Sequence, residues 1–362
     1  MLAGSHATQT SNKTDVPFAY SSARVRMLKQ RMLSRADVER LLTAPSVQAG
    51  MRVLADTEYA SAIAAVGRSD DYELVLSAEL QRVYDLVTSF APQQELLKMW
   101  AARLAFLGLK MLLKAGLQKQ GLPDELLPAW MPVERSRLRQ TVKLVLEKEA
   151  DSPADTTGMQ GLEEYLYEGA EAAVKAYRQY EDPEEIDHSV DAHFQQYLID
   201  LTESPDAEFL RGWVVHFADV TNLTTFVRFA VAKRLTESLD RALLPGGSIP
   251  AERILEAYAA SEEAQERVEA LSKALTDTPY ASLLAQGWRI YQEEGLLYGM
   301  ERMANRFLRE YLDSVRHKPF GMAVVWAYLM AKEREVRLIR LIFAGKSAGL
   351  SESQLRERIE YV

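Results

Sequence analysis

Two acidic clusters in the sequence have a composition that could hold a metal ion. Asp70-Asp71-Tyr72-Glu73 carries carboxylates at helical spacing, and carboxylates that share a helix face can bind magnesium together with a diphosphate. This cluster follows Gly67-Arg68, where a helix is expected to begin, and acidic residues stabilise the first turn of a helix. The second cluster, Glu181 to Glu185, is interrupted by Pro183. The sequence therefore favours helix capping at the first cluster over metal binding.

Other catalytic patterns are absent from the sequence. His188 and His193 are five residues apart, which places them on different faces of a helix and does not suit a metal pair. No HExxH, P-loop, dinucleotide or GxSxG motif occurs. The chain also lacks cysteine, which excludes disulfides, cysteine-ligated zinc and thiol catalysis. We therefore expect no catalytic residues, no metal and no cofactor.

The remaining polar chemistry follows three tryptophans, and it suits contact with a partner protein. The candidate partner-binding residues lie after the second and third of these tryptophans: Asp219, Asn222, Arg228, Lys332, Glu333, Glu335, Arg337 and Arg340. The first tryptophan is followed mostly by apolar residues such as Phe106 and Leu109. Three similar helices with three different surfaces would suit one asymmetric partner. Ordinary surface variation, with Glu333 and Arg337 merely supporting a helix, explains the same pattern, and the sequence leaves both interpretations open.

The three tryptophans indicate an internal repeat. Trp100, Trp213 and Trp326 are separated by the same interval of 113 residues, and a fixed period is typical of repeated structural units. Each lies in a long amphipathic stretch that is preceded by a proline, at Pro92, Pro205 and Pro319. The tryptophans are expected to anchor the core of their helices; the less favoured alternative is a stacking platform for a ligand.

A second repeated segment supports this interpretation. Leu54 to Ser61 and Leu275 to Ser282 are identical at six of eight positions. The helix start at Ser34 to Leu42 resembles Ile249 to Ala257, and the two matches occur in the same order along the chain. In the middle of the chain the best counterpart is the weak match at Thr157 to Tyr165. The sequence therefore predicts one helical unit used three times.

The fold class predicted from the sequence is all-α. Residues that favour helices dominate, Ser34 is placed to cap a helix, and alternating strand patterns are absent. Breaks at Gly121 to Pro132 and at Pro245 to Gly247 separate the units. The predicted organisation is a flexible tail at 1–16, followed by helical units at 17–130, 131–245 and 246–362.

Length and charge limit the classes of function. A chain of 362 residues with 48% apolar residues supports two or three packed units. Its net charge of −9 argues against a nucleic-acid partner. Glu147 to Asp191 is strongly acidic, which is typical of a solvated face and also suits docking of a basic partner. No apolar run is long enough to cross a bilayer and no secretory signal is evident, so we expect an intracellular protein.

Several segments together resemble the C subunit of the prokaryotic V/A-type rotary ATPases, whose eukaryotic counterpart is the d subunit. The resemblance extends from Pro17 to Val362 and depends on the order of its segments rather than on one motif. The segments that carry it are Phe18 to Leu28, Met32 to Leu42, Phe217 to Leu223, Ala331 to Arg340 and Gly349 to Val362.

This resemblance implies three homologous helical bundles arranged as a pseudo-threefold funnel. In that family the funnel sits on the cytoplasmic mouth of the membrane rotor ring, one copy per complex, and receives the tip of a shaft made of the D and F subunits. The implied role is peripheral to the membrane and non-catalytic, transmitting torque between the ATPase head and the ring. The eight candidate residues would then lie at or near partner-facing surfaces, and charge reversal at Glu335 and Arg340 would weaken shaft binding without loss of helix. The first unit, Ala101 to Leu113, departs from the acidic pattern of the second.

Two alternatives belong to other classes of protein. An unrelated all-α repeat adaptor is disfavoured because common helical scaffolds repeat every 33–47 residues or so, far less than the interval seen here. An all-α lyase or transferase would need a second metal-binding cluster and a deep apolar pocket.

Overall fold

The computed structural model describes residues 17–66, 71–121, 124, 127–128, 130–148 and 158–359. Within these ranges the regular elements are seventeen α-helices and two short 3-10 helices, and no strand occurs. The all-α prediction is therefore confirmed. The tail predicted at 1–16 lies outside the described residues, as does Asp70. The funnel arrangement and the boundaries of the three units stay predictions.

The helices follow one another along the whole described chain, and the 3-10 helices are Pro205–Ala207 and Ser314–His317. The α-helices are α1 (Phe18–Lys29), α2 (Arg35–Thr43), α3 (Val47–Ala55), α4 (Ala60–Val66), α5 (Tyr72–Thr88), α6 (Gln94–Leu117), α7 (Arg135–Glu147), α8 (Leu162–Tyr180), α9 (Glu184–Leu201), α10 (Glu208–Ala232), α11 (Thr236–Ala242), α12 (Ala251–Ala259), α13 (Ala264–Ala274), α14 (Pro279–Glu294), α15 (Tyr298–Asp313), α16 (Met322–Ser347) and α17 (Glu352–Ile359).

Local sequence signals account for several helix starts. Ser34 accepts a hydrogen bond from the backbone N–H of Asp37, whose carboxylate accepts one from the Ser34 backbone, so a capping box begins α2. Asp71 accepts a hydrogen bond from the backbone N–H of Leu74 (3.2 Å) and caps α5. The capping predicted at these two positions is thereby confirmed, and one carboxylate of the first acidic cluster is engaged in it.

The three tryptophans lie on the three longest described helices. α6, α10 and α16 contain 24, 25 and 26 residues, and each carries its tryptophan in its second turn. A proline lies in the break or short 3-10 helix that precedes each of them. Trp100 and Trp326 are buried and Trp213 is partly buried. The expected role as core anchors is therefore confirmed for the first and third tryptophan.

The first two of the long helices pack mainly on the segments that follow them in the chain, and the third packs mainly on the beginning of the chain. α6 packs against α7, α8 and α9, and α10 packs against α11 to α15. α16 returns to the beginning of the chain and packs against α1, α2, α3 and α5. Contacts therefore cross the unit boundaries drawn from the sequence, because a long helix at the end of one unit supports the short helices of the next.

Close approach of α3 and α16 gives a testable consequence. We expect Gly50→Ala to lower the free energy of unfolding by about 1–3 kcal/mol. A Cβ atom at this position would lie 2.5 Å from a ring carbon of Phe343, which is fully buried. Chemical denaturation measures the change, and Gly121→Ala is the control because a Cβ atom there meets nothing within 4 Å. Equal stability of the two variants would contradict the packing of α3 on α16.

Candidate partner-binding site

Asp219 on α10 is a fully buried carboxylate at a junction between helices. Its Oδ2 accepts hydrogen bonds from the Ser248 backbone (3.1 Å), the Ser248 hydroxyl (2.6 Å) and the Tyr280 hydroxyl (2.6 Å). Its Oδ1 accepts one from the Ile249 backbone (3.0 Å). Burial, together with the hydrogen bond to Asp219, raises the pKa of Tyr280 well above its ordinary value. This set of contacts, the Asp219 junction, joins α10 to the chain before α12 and to the start of α14.

Asn222 lies one turn further along α10 and is also buried. Its amide nitrogen donates to the Leu244 carbonyl (3.0 Å), and its Oδ1 accepts from the Leu244 N–H (2.7 Å). Both hydrogen-bonding functions of the side chain are thus used by one residue of the segment between α11 and α12. Asn222 therefore fixes the path of the chain that leads to the Asp219 junction.

A corresponding junction is formed by Glu335 on α16. Its Oε1 accepts a hydrogen bond from the Tyr59 hydroxyl (2.9 Å), and its Oε2 accepts one from the Leu33 N–H (2.6 Å). Lys332 is buried beside it, with Nζ at 2.7 Å from Glu335 Oε1 and 2.9 Å from Oε1 of the buried Glu79. Burial and the neighbouring Glu335 carboxylate hold the pKa of Tyr59 well above its usual range. We refer to these contacts as the Glu335 junction.

Each of the two matching sequence segments supplies a tyrosine to one of the two junctions. Tyr59 and Tyr280 occupy the same position in the two eight-residue segments that match at six places. Both hydroxyls donate to a carboxylate on a long helix, and in each case a backbone N–H just before a short helix donates to the same carboxylate. α6 forms no such polar junction at Phe106, which contacts the rings of Phe194 and Tyr197 instead.

The burial of four candidate residues differs from the surface position that we expected from the sequence. Asp219, Asn222, Lys332 and Glu335 have exposed fractions between 0% and 7% and hold helices of this chain together. Ionised side chains are rarely buried without partners. Apart from the Lys332–Glu335 pair on α16, the partners here come from segments distant in sequence. Charge reversal at Glu335 would therefore destabilise the fold, contrary to our expectation that it would leave the helices intact. A role of these four residues in partner binding stays a prediction.

The other four candidates reach the surface or an interior cavity. Arg228 pairs with Glu301 on the surface, and Arg340 pairs with Glu73 at 2.9 Å. Glu333 is largely buried, whereas the side chain of Arg337 is about half exposed (48%). Exposed ion pairs of this kind contribute about 0–1 kcal/mol to stability, so they can exchange for contacts with another protein. Partner binding by these residues stays a prediction.

All three tryptophans line one cavity of about 300 Å³. Trp100 on α6, Trp213 on α10 and Trp326 on α16 contribute to its wall, and α9 and α15 complete it. The rings of Trp213 and Trp326 meet edge to face with centroids 5.3 Å apart. Residues separated by more than two hundred positions are thus brought together where the three long helices meet. We call this space the tryptophan–arginine cavity, because the same wall carries Arg103, Arg309, Arg334 and Arg337.

Among the described residues, Glu333 is the one acidic residue in the wall of this cavity. Its carboxylate accepts a hydrogen bond from the Trp100 indole (3.2 Å) and forms ion pairs with Arg103 (2.8 Å) and Arg337 (2.9 Å). Burial, offset in part by Glu333, lowers the pKa of Arg103. Burial also lowers the pKa of Arg334, and the nearby Arg309 lowers it further. The cavity therefore combines an aromatic wall with an excess of positive charge.

Only part of this cavity was predicted from the sequence. The tryptophans, Glu333 and Arg337 were expected from their positions, whereas Arg103, Arg309 and Arg334 were not. A signal for two of these was present, because Arg103 lies three residues after its tryptophan and Arg334 eight after its own. Those intervals place them on the tryptophan face of a helix. Arg309 lies on α15 and its position depends on tertiary packing, which no local pattern indicates.

Within the described ranges, no group of three or more His, Asp or Glu side chains is arranged to hold a metal ion. Among the same residues, no helix combines the length and the apolar character that a membrane crossing requires.

Fold and cavity together define an all-helical protein whose three long helices meet at an aromatic, positively charged cavity. Comparison with protein families identifies this class more closely. The chain belongs to the ATP synthase (C/AC39) subunit family, whose model matches residues 21–358. The family resemblance stated from the sequence is thereby confirmed.

Individual relatives are similar along nearly the whole chain. The C subunit of the A-type ATP synthase of Methanocaldococcus jannaschii is 23% identical over 354 residues, covering 94% of this chain and 85% of that protein. The C subunit of the V-type sodium ATPase of Enterococcus hirae is 24% identical over 343 residues, covering 93% of this chain and 96% of that protein. The C subunit of the A-type ATP synthase of Methanothermobacter thermautotrophicus is 25% identical, covering 95% of this chain and 88% of that protein.

Proposed function

We propose that this protein is a non-catalytic central-stalk subunit of a V/A-type ATPase. It links the D–F shaft of the soluble ATPase head to the proteolipid ring in the membrane, and so couples ATP hydrolysis or synthesis to proton or sodium transport. The observation that carries the proposal is the convergence of three long tryptophan-bearing helices on one cavity in a chain of the ATP synthase (C/AC39) subunit family. The protein would be peripheral, on the cytoplasmic side, with one copy per complex.

Torque transmission requires a body that does not deform when one face is turned against the other. The Asp219 and Glu335 junctions support this role, since each ties a long helix to a distant segment through several hydrogen bonds to one buried carboxylate. Hydrogen bonds to charged groups are about twice as strong as neutral ones. The shaft is expected to dock on the face where the three long helices meet, because that is where all three repeats can contact one asymmetric partner.

Co-purification tests this function directly. A tagged copy of the chain, recovered from detergent-solubilised membranes of its own cells, is expected to bring down the D and F shaft proteins and the proteolipid ring. Mass spectrometry identifies the recovered proteins, and an untagged strain provides the control for non-specific recovery. Recovery of the tagged chain without the shaft and the ring would contradict the proposal.

A further inference from the structure

The wall of the tryptophan–arginine cavity carries an excess of positive charge. Four arginines face one glutamate there, although the chain as a whole has a net charge of −9. Glu333 is already engaged by the Trp100 indole, Arg103 and Arg337. Its carboxylate is therefore committed to those two cations and does not form an ion pair with Arg334.

Arg334 on α16 is the side chain whose charge is least compensated. It is partly buried, and no hydrogen bond or ion pair joins it to another described residue. Arg309 and Arg337 repel its charge, Asp313 and Glu333 offset part of that repulsion, and burial is the main cause of its lowered pKa. An anion that enters the cavity would relieve both the repulsion and the cost of burying the guanidinium group.

The rest of the wall excludes a strongly hydrated anion as the natural occupant. Trp213, Phe217, Trp326 and Met330 give the cavity a largely apolar surface. The indole nitrogens of Trp213 and Trp326 are enclosed and meet no acceptor among the described residues, so the accessible donors are the guanidinium groups. A carboxylate carried beside an apolar group satisfies the arginines and also covers the aromatic wall, which a free inorganic ion does not.

We propose that the tryptophan–arginine cavity receives an acidic segment of a partner protein, with one carboxylate against Arg334 and an adjacent apolar side chain against Trp213 and Met330. The naming of the shaft as that partner rests on the proposed function. The chemistry of the segment follows from the charge and the apolar surface of the wall, and it requires only that the segment carry Asp or Glu next to an apolar residue.

Binding of the purified D–F complex to the full chain tests the proposal. Arg334→Met keeps an unbranched apolar stem and removes the guanidinium group with its charge, and it is expected to weaken binding about tenfold. The remaining binding should depend less on salt concentration, because one attractive charge is lost. Arg334→Lys, which keeps the charge, should recover part of the affinity. Arg289→Met is the matched control, since Arg289 is 70% exposed on α14; its affinity should stay within about twofold.

The outcomes separate this inference from the proposed function. If the unmodified chain binds D–F and Arg334→Met binds it equally well, the inference is wrong and the proposed function stands. If the unmodified chain does not bind D–F, the proposed function is wrong. Thermal unfolding of each variant, measured alongside, shows whether a loss of affinity comes from loss of fold.

A small-molecule pair tests the cavity without the shaft. 3-Phenylpropionate carries a carboxylate beside an apolar ring, and 3-phenylpropanamide is its uncharged counterpart. The carboxylate is expected to shift the indole N–H resonances of Trp213 and Trp326 in the full chain, the amide is not, and Arg334→Met should abolish the response. An equal response to both compounds, or a response to inorganic phosphate alone, would overturn the inference. A response to the carboxylate in a chain that fails to bind D–F would support the cavity chemistry and reject the shaft as partner.

Discussion

Lys332→Met is expected to lower the free energy of unfolding by about 3–5 kcal/mol. The ammonium group of Lys332 lies between the carboxylates of Glu79 and Glu335, and all three side chains are at least 95% buried. Methionine has a similar length, so the change removes the charge with little loss of packing. Two buried carboxylates, those of Glu79 and Glu335, then lie close together. The remaining cation is Arg82, which donates two hydrogen bonds to Glu79 (2.7 Å and 2.9 Å).

Urea denaturation of the native chain and the variant measures this loss. Lys143→Met is the matched control, because Lys143 is 70% exposed and its 3.9 Å pair with Glu147 joins residues four apart on α7; its effect should stay below about 1 kcal/mol. The double variant Lys332→Met, Glu335→Gln should recover part of the stability, since one of the two carboxylates is neutralised. A loss no larger than that of the control would show that Lys332 is not the cation of a buried network.

The helical class was predictable from the sequence for physical reasons that are local. The prolines before α6, α10 and α16 and the caps at Ser34 and Asp71 act on the residues next to them. Burial of Glu335 cannot be predicted from the residues next to it. Its partners Tyr59 and Leu33 are 276 and 302 residues away in the chain, and a charged residue on a helix is exposed in most proteins.

For the candidate site, too, the residues that share a helix face could be predicted from the sequence, whereas the contacts between helices could not. Helical periodicity after Trp100 and Trp326 places Arg103, Glu333 and Arg334 on the faces that carry the tryptophans. These faces meet Trp213 and Arg309 at one cavity because of the way α6, α10, α15 and α16 pack. The pattern of residues within a single helix does not predict this packing. The matching eight-residue segments were a further signal in the sequence. A buried hydroxyl of Tyr59 or Tyr280 requires a hydrogen-bond acceptor, and α10 and α16 each carry a carboxylate that can accept.

Asp219→Asn is expected to cost about 3 kcal/mol of stability, since buried hydrogen bonds to a charged group are lost and a buried donor is left unpaired. Both oxygens of Asp219 accept from donors: Oδ1 from the Ile249 N–H, and Oδ2 from the Ser248 N–H and two hydroxyls. An asparagine side chain must place its NH₂ group against one of these sets in either orientation. Tyr280→Phe removes one donor and leaves three, so we expect a smaller loss of about 1 kcal/mol.

Amide hydrogen exchange locates the effect of this substitution. Exchange at Ser248 and Ile249 should be faster in Asp219→Asn, whereas Asp240→Asn, an exposed carboxylate on α11, should leave it unchanged. Because the junction joins α10 to segments of the same chain, affinity for D–F should be native at a temperature where the variant is folded. Reduced affinity with unchanged exchange would instead place Asp219 at the partner interface, as the sequence pattern alone had suggested.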